Sequence, residues 1–290
     1  MLYLRRFDFP DPDDEFEFRR LLKQTCFDTV YPFHVLSARG LRSLEFEPIT
    51  LLYGGNGCGK TTAINVMAEK LGLQRDSMYN RSNFFERYTA LCDFSRAAPI
   101  PAASRVITSD DVFDFMLDLR ALNAGIDQNR AELMKQYFED RDRRDFRLRS
   151  LDDYDELKRI NSARRLTQSK YVRAEGKDNV REQSNGESAL MYFQDRIRED
   201  ALYMLDEPEN SLSVSRQIEL ASFIEESARF FKCQFIIATH SPFLLAMREA
   251  RVYDMDQDPV AVRPWTELGA VRAMYDFFDK HRAAFERGEK

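Results

Sequence analysis

Eight consecutive residues, Gly54-Gly55-Asn56-Gly57-Cys58-Gly59-Lys60-Thr61, hold the most informative chemistry in the sequence. They satisfy G-x-x-x-x-G-K-[ST] in full, with Thr62 following. Each residue type has a physical reason. Glycines let the backbone wrap closely and aim N–H groups at phosphate oxygens, and a helix N-terminus adds partial positive charge there. Lys60 brings an ammonium to the β- and γ-phosphates, and the Thr61 hydroxyl can ligate Mg²⁺. The bland alternative is a glycine turn beside an ordinary lysine. It fails here because a strand-like run precedes the motif and a helical run follows it, as phosphate binding requires.

Three later groups gain meaning beside that loop. Asp206 and Glu207 end a short apolar run, where ligands of open α/β sheets bind. Alone they would be an acidic turn. Next to a phosphate loop, Asp206 is placed to hold Mg²⁺ and Glu207 to polarise an attacking water. His240 closes another apolar run. A lone histidine is more often structural, but this position makes it a candidate γ-phosphate sensor. Ser184-Asn-Gly186-Glu187 lies 22 positions before Asp206. By itself it is a capping box opening a helix. Serine and glycine at a helix start are also an anion site, of use here only to a partner's nucleotide.

The elements that must position these residues read as α/β. Ile49–Tyr53 is a buried strand stopping at two glycines, and Lys60–Leu71 is the helix after the loop. Ala201–Leu205 and Cys233–Ala238 are further buried strands. Leu220, Phe223, Ile224, Ala228 and Phe231 recur at helical spacing. Continuous apolar strands between helices predict a largely parallel sheet covered on both faces. Residues 110–183 contain no proline and only two glycines, and read as an inserted helical arm or lid. The expected divisions are a first lobe at 1–109, the arm at 110–183 and a second lobe at 184–290. Within the arm, Leu148, Leu151, Tyr154, Leu157 and Ile160 recur every three residues, which drifts off one helical face and argues against a coiled-coil seam.

Composition sets outer bounds. With 43% apolar residues in 290 the chain can build a core, and a net charge of −6 argues against a basic nucleic-acid coat. Four cysteines without a C-x-x-C pair, and three histidines, argue against a disulfide scaffold or a zinc site. No apolar run is long enough to cross a bilayer, and the first residues lack the pattern of a secretory signal, so a cytoplasmic protein without membrane contact is expected. Against that acidity, residues 141–173 carry 11 Lys/Arg and 6 Asp/Glu. This local excess of positive charge is either a solvated face or a docking surface for nucleic acid or a partner protein.

In this order, the phosphate loop, Ser-x-Gly-Glu, Leu-Asp-Glu-Pro and Ala-Thr-His-Ser-Pro resemble the ABC-type ATPases. The likeness is nearest to small bacterial ATPases related to the SMC and RecF proteins. It extends to Tyr3-Leu-Arg-Arg, Tyr31-Pro-Phe and Leu41–Phe46 as opening strands, to Asp206–Ser213 as Walker B and D-loop, and to Val252–Asp256 as a late strand. The resemblance implies an ABC-type head with a mostly parallel core sheet, an antiparallel N-terminal β region and the inserted arm. It also implies a head-to-tail homodimer enclosing two ATP molecules. Gly54, Gly57, Gly59, Lys60, Thr61 and Thr62 would bind phosphate and Mg²⁺, Asp206 the metal, Glu207 would be the base and His240 the sensor. Ser184, Gly186 and Glu187 would serve the opposite subunit, and Ser211 to Ser213 would line the interface. Relatives act in DNA maintenance and anti-phage defence, some with a separate effector protein. No glutamine stands between Gln74 and Gln128, where the group places its Q-loop glutamine. Two other readings stay open: a P-loop kinase, and a nucleotide-sensing module with negligible turnover.

Overall fold

The computed structural model describes residues 1–16, 29–143, 154–175 and 185–286. They form two compact units, 1–113 together with 185–290, and 114–184.

The first unit is built on a six-stranded sheet. Its strands are β3 (Ile49–Tyr53), β5 (Arg105–Thr108), β6 (Leu202–Asp206), β7 (Gln234–Thr239), β8 (Arg251–Asp254) and β9 (Ala261–Val262), in the order β5-β6-β7-β3-β8-β9. The first five run parallel, and β9 closes the edge antiparallel to β8. Every residue of β3, β6 and β7 is buried, as unbroken apolar strands in a parallel sheet demand. Helix α1 (Lys60–Leu71) packs Ala63, Ile64, Val66 and Met67 into one core with Leu52, Leu202, Met204, Ile236 and Ala238. The alternate residues Leu51, Tyr203, Leu205, Phe235 and Ile237 are fully buried on the opposite face. Both faces of the sheet are therefore covered. A left-handed Gly72 ends α1, its N–H returning to the carbonyls of Ala68 and Glu69.

A second sheet is antiparallel. Its middle strand β1 (Leu4–Asp8) pairs with β2 (Ser43–Glu45) and β4 (Asp93–Arg96). The fully buried side chain of Gln234 bolts it to β7. Its Oε1 accepts from the backbone N–H groups of Tyr3 and Leu4 at 2.8 and 2.9 Å, and its Nε2 donates to the Leu4 carbonyl at 2.8 Å. The resemblance to an ABC-type head with an antiparallel N-terminal region is realised in these two sheets. Tyr31-Pro-Phe departs from expectation: residues 31–35 form a turn rather than an opening strand. A proline lacks the N–H a ladder needs, and His34 takes a left-handed backbone, φ 65°.

The unit also holds α2 (Phe85–Leu91), α6 (Asn185–Arg196), α7 (Val214–Phe230), α8 (Pro242–Leu245) and α9 (Gly269–Lys280). Helix α3 (Ser109–Asp142) begins in the first unit and runs for 34 residues, about 51 Å at 1.5 Å per residue. In the second unit, α4 (Tyr154–Arg165) and α5 (Gln168–Glu175) pack Ala163, Tyr171 and Val172 around Tyr137. The buried carboxylate of Asp140 is compensated there by Arg159 Nε at 2.9 Å and the Tyr171 hydroxyl at 3.3 Å. Of the threefold series, Ile160 is buried and Tyr154 exposed, while Leu148 and Leu151 lie outside the described residues.

Candidate nucleotide site

The site sits where β3, β6 and β7 end side by side. β7 lies between the other two, so the phosphate loop after β3, the acidic pair after β6 and His240 after β7 emerge at one sheet edge. Gly54 is required by close approach: a Cβ there would lie 2.5 Å from Cys58 Sγ. Gly59, at φ 101°, hands the loop to α1 in a conformation that other residues resist. The loop's Asn56, Gly57, Gly59, Lys60, Thr61 and Thr62, with Tyr31, Val35 and Glu207, line a hollow of about 260 Å³. Cys58 is buried beneath the loop, where desolvation pushes its thiol pKa up.

Lys60 is 4% exposed and its ammonium caps the loop's own carbonyls, Gly54 O at 2.7 Å and Gly55 O at 3.0 Å. It also lies 3.7 Å from Glu207 Oε1. The Thr61 hydroxyl donates to Asp206 Oδ1 at 3.1 Å, across 145 positions of sequence. Burial pushes the Asp206 carboxyl up to about 6; the Thr61 hydrogen bond opposes this and the charge of Glu207 adds to it. A hydroxyl and a carboxylate side by side are the hard oxygen donors Mg²⁺ takes, with phosphate and water completing its shell. A cation there would relieve the buried charge, so the residues fit the metal. Among the described residues no cluster of three or more His, Cys, Asp and Glu could hold a metal unaided.

Glu207 adopts the left-handed region, φ 48° and ψ 52°, rare for a residue with a long side chain. Its N–H is fixed to the Ala238 carbonyl at 2.9 Å, and Asn210 Nδ2 donates to its Oε2 at 3.0 Å. His240 is half exposed. Its placement is set by a residue that sequence inspection missed, Glu209. One oxygen of that buried carboxylate accepts from the Thr239 hydroxyl at 2.7 Å and from the backbone N–H groups of His240 at 2.7 Å and Ser241 at 3.2 Å. His240 Nδ1 lies 3.3 Å from the same oxygen. The signal was available: a second glutamate two positions beyond Glu207, in a turn that must pack against the next strand's end. Arg75 was missed as well. It stacks over Tyr79 at 4.3 Å, donates to Asn65 Oδ1 at 2.5 Å and feels the Asp206 charge, in the stretch that lacks glutamine.

The structure does not bring every expected group to the hollow. Ser184 lies outside the described residues. Gly186 falls in the first turn of α6, and Glu187 pairs with Arg216 on α7 at 2.8 Å. In the basic stretch, Arg143 pairs with Glu156 and Arg159 with Asp140, while Arg144, Arg147 and Arg149 lie outside the described residues.

Residues 120–246 match the family model described as "AAA domain, putative AbiEii toxin, Type IV TA system", a little under half of the chain. No curated protein matches it. Among solved structures, the Smc head domain of Pyrococcus furiosus bound to the C-terminal domain of ScpA aligns at 13% identity and TM-score 0.40, covering 83% of this chain and 95% of that one. The SMC head domain of Thermotoga maritima aligns at 13% identity and TM-score 0.36, covering 77% and 92%. A nucleotide-free ATP-binding cassette of an ABC transporter aligns at 12% identity and TM-score 0.34, covering 74% and 81%. Motif order and sheet topology agree with the α/β fold of P-loop ATPases that the sequence resembles.

Proposed function

We propose that this protein binds ATP with Mg²⁺ and hydrolyses it in a head-to-tail homodimer, and that nucleotide state is relayed to a partner. The observation that carries the reading is the meeting of two distant motifs, with Thr61 on Asp206 at 3.1 Å and Lys60 beside Glu207 at 3.7 Å. In it, the loop amides and Lys60 hold the phosphates, Thr61 and Asp206 hold the metal, and Glu207 takes the proton of the attacking water. The metal supplies charge neutralisation at the phosphates. His240, held by Glu209, reads the γ-phosphate. Ser184, Gly186 and Glu187 act on the nucleotide of the opposite subunit. The stretch 141–173 is the coupling surface, toward an effector protein or a nucleic-acid backbone. The biological setting is defence or DNA maintenance, in keeping with the toxin named in the matching family's description.

Glu207→Gln tests the reading. Glutamine keeps shape but cannot take a proton, so hydrolysis should fall by about 100-fold or more while ATP binding persists. Sedimentation should then find an ATP-dependent dimer. A variant that stays monomeric at saturating ATP and Mg²⁺ contradicts the sandwich. Wild-type protein that fails even single-turnover hydrolysis supports instead a nucleotide sensor, the reading favoured by the stretch without glutamine.

A further inference from the structure

The phosphate loop is gripped from outside by a residue of another strand. β8 pairs in parallel with β3 and sets Asp254 beside Tyr53. Beyond the paired strands, Met255 N–H donates to the Tyr53 carbonyl at 2.8 Å, and Asp256 N–H to Asp254 Oδ1 at 3.1 Å. This turn delivers the Asp256 carboxylate to the Gly55 N–H, which lies 3.0 Å from each oxygen. On the same side, a Cβ on Gly54 would come within 3.2 Å of Asp256 Oδ1 as well as 2.5 Å of Cys58 Sγ. The first turn of the loop is thus held between Cys58 below and Asp256 outside. Asp256 is not among the residues lining the hollow, so its grip does not occupy the space beside Gly57–Thr62.

We propose that Asp256 is a positioning residue that fixes the start of the phosphate loop in its phosphate-accepting shape before nucleotide arrives. What the loop accepts rests on the ATPase reading above; the clamp itself does not. Glycine loses the most conformational freedom on ordering, and Gly54, Gly55, Gly57 and Gly59 crowd this segment. A loop already ordered spends less of its binding energy on becoming so. A carboxylate is the suitable anchor, because it accepts from an amide more strongly than a neutral oxygen does.

Two variants and two readouts test this. In Asp256→Ala, without nucleotide, amide exchange of the peptide spanning 53–58 should accelerate about tenfold, the scale of one charge-assisted hydrogen bond. The KM and Kd for MgATP should rise about tenfold, with kcat within about twofold, because the group is spent on pre-ordering rather than on the transition state. Asp256→Asn keeps an acceptor oxygen and should stay within about threefold of wild type in both readouts. Unchanged exchange and affinity in the alanine variant overturn the proposal. So does an alanine variant that loses affinity while exchange of 53–58 stays at the wild-type rate, because the effect would then not come from ordering the loop. Wild-type protein that binds no ATP overturns the ATPase reading, while the exchange measurement still decides the clamp.

Discussion

Asp206→Asn should make the protein more stable while disabling it. Asp206 is 9% exposed, and burial raises its carboxyl from the ordinary 3.8 to about 6. Between those two values the folded chain keeps a proton that the unfolded chain has released. Stability therefore falls as pH rises through this window and stays lower above it. A displacement of about two pH units corresponds to about 3 kcal/mol at neutral pH. Asparagine removes the charge and keeps an oxygen to accept from Thr61. The variant should gain up to about 3 kcal/mol at pH 7.5 in EDTA, roughly 6–10 °C in Tm, and about half that free energy at pH 5. Urea unfolding followed by the single tryptophan, Trp265, reports on the unit that contains the site. Adding MgATP should reverse the order, because wild type gains the linkage energy of a bound metal–nucleotide pair and the variant loses the metal's share. No gain at pH 7.5, or an equal gain at both pH values, refutes the claim that a buried carboxylate, only partly compensated by Thr61, waits for a cation.

Lys60→Ala should weaken ATP binding by about 100-fold, the upper scale of a charge-assisted contact, while the protein stays folded with stability lower by about 1–3 kcal/mol, since the Gly54 carbonyl loses its partner; tight binding of a fluorescent ATP analogue would contradict its role. Ser184→Arg should bind ATP yet fail to hydrolyse it, and mixing it with Lys60→Ala should restore part of the activity, since one composite site in the mixed dimer is intact. Hydrolysis at wild-type rate by Ser184→Arg alone removes the trans role. Glu209→Ala orphans the donors of Thr239, His240 and Ser241, so it should cost about 2–3 kcal/mol in urea melts and slow hydrolysis more than it weakens ATP binding. Wild-type turnover would show that His240 needs no such support.

Local punctuation was legible in the sequence. β3 and α1 occupy the residues their apolar runs predict, because glycines bound them at positions 54, 59 and 72. β6 and β7 begin and end one residue later than their apolar runs, since Asp206 and Thr239 continue the ladder although they are polar. Nothing local announces that β3 inserts between β7 and β8, because pairing of parallel strands is decided by partners far along the chain. The left-handed backbone at Glu207 was equally hidden: it is imposed by the bond from its N–H to Ala238. Glu209 and Asp256 escaped for a related reason, since acidic residues in turns look alike until the strand ends they serve are set side by side.

The strand order also governs how the chain can be built. β3 finds its two neighbours only at Gln234–Thr239 and Arg251–Asp254, almost 200 residues later. On the ribosome, the Ile49–Tyr53 segment must therefore wait, at about 5–20 residues per second, for roughly ten seconds or more before any partner emerges. Meanwhile its apolar residues are unpaired and open to wrong partners. A high sequence separation of contacts also slows folding itself. The intervening residues 114–184 form their own compact unit from nearby helices, so they can fold during that wait. Chaperone dependence should accordingly track the first unit, and the phosphate loop should be among the last features of the molecule to take shape.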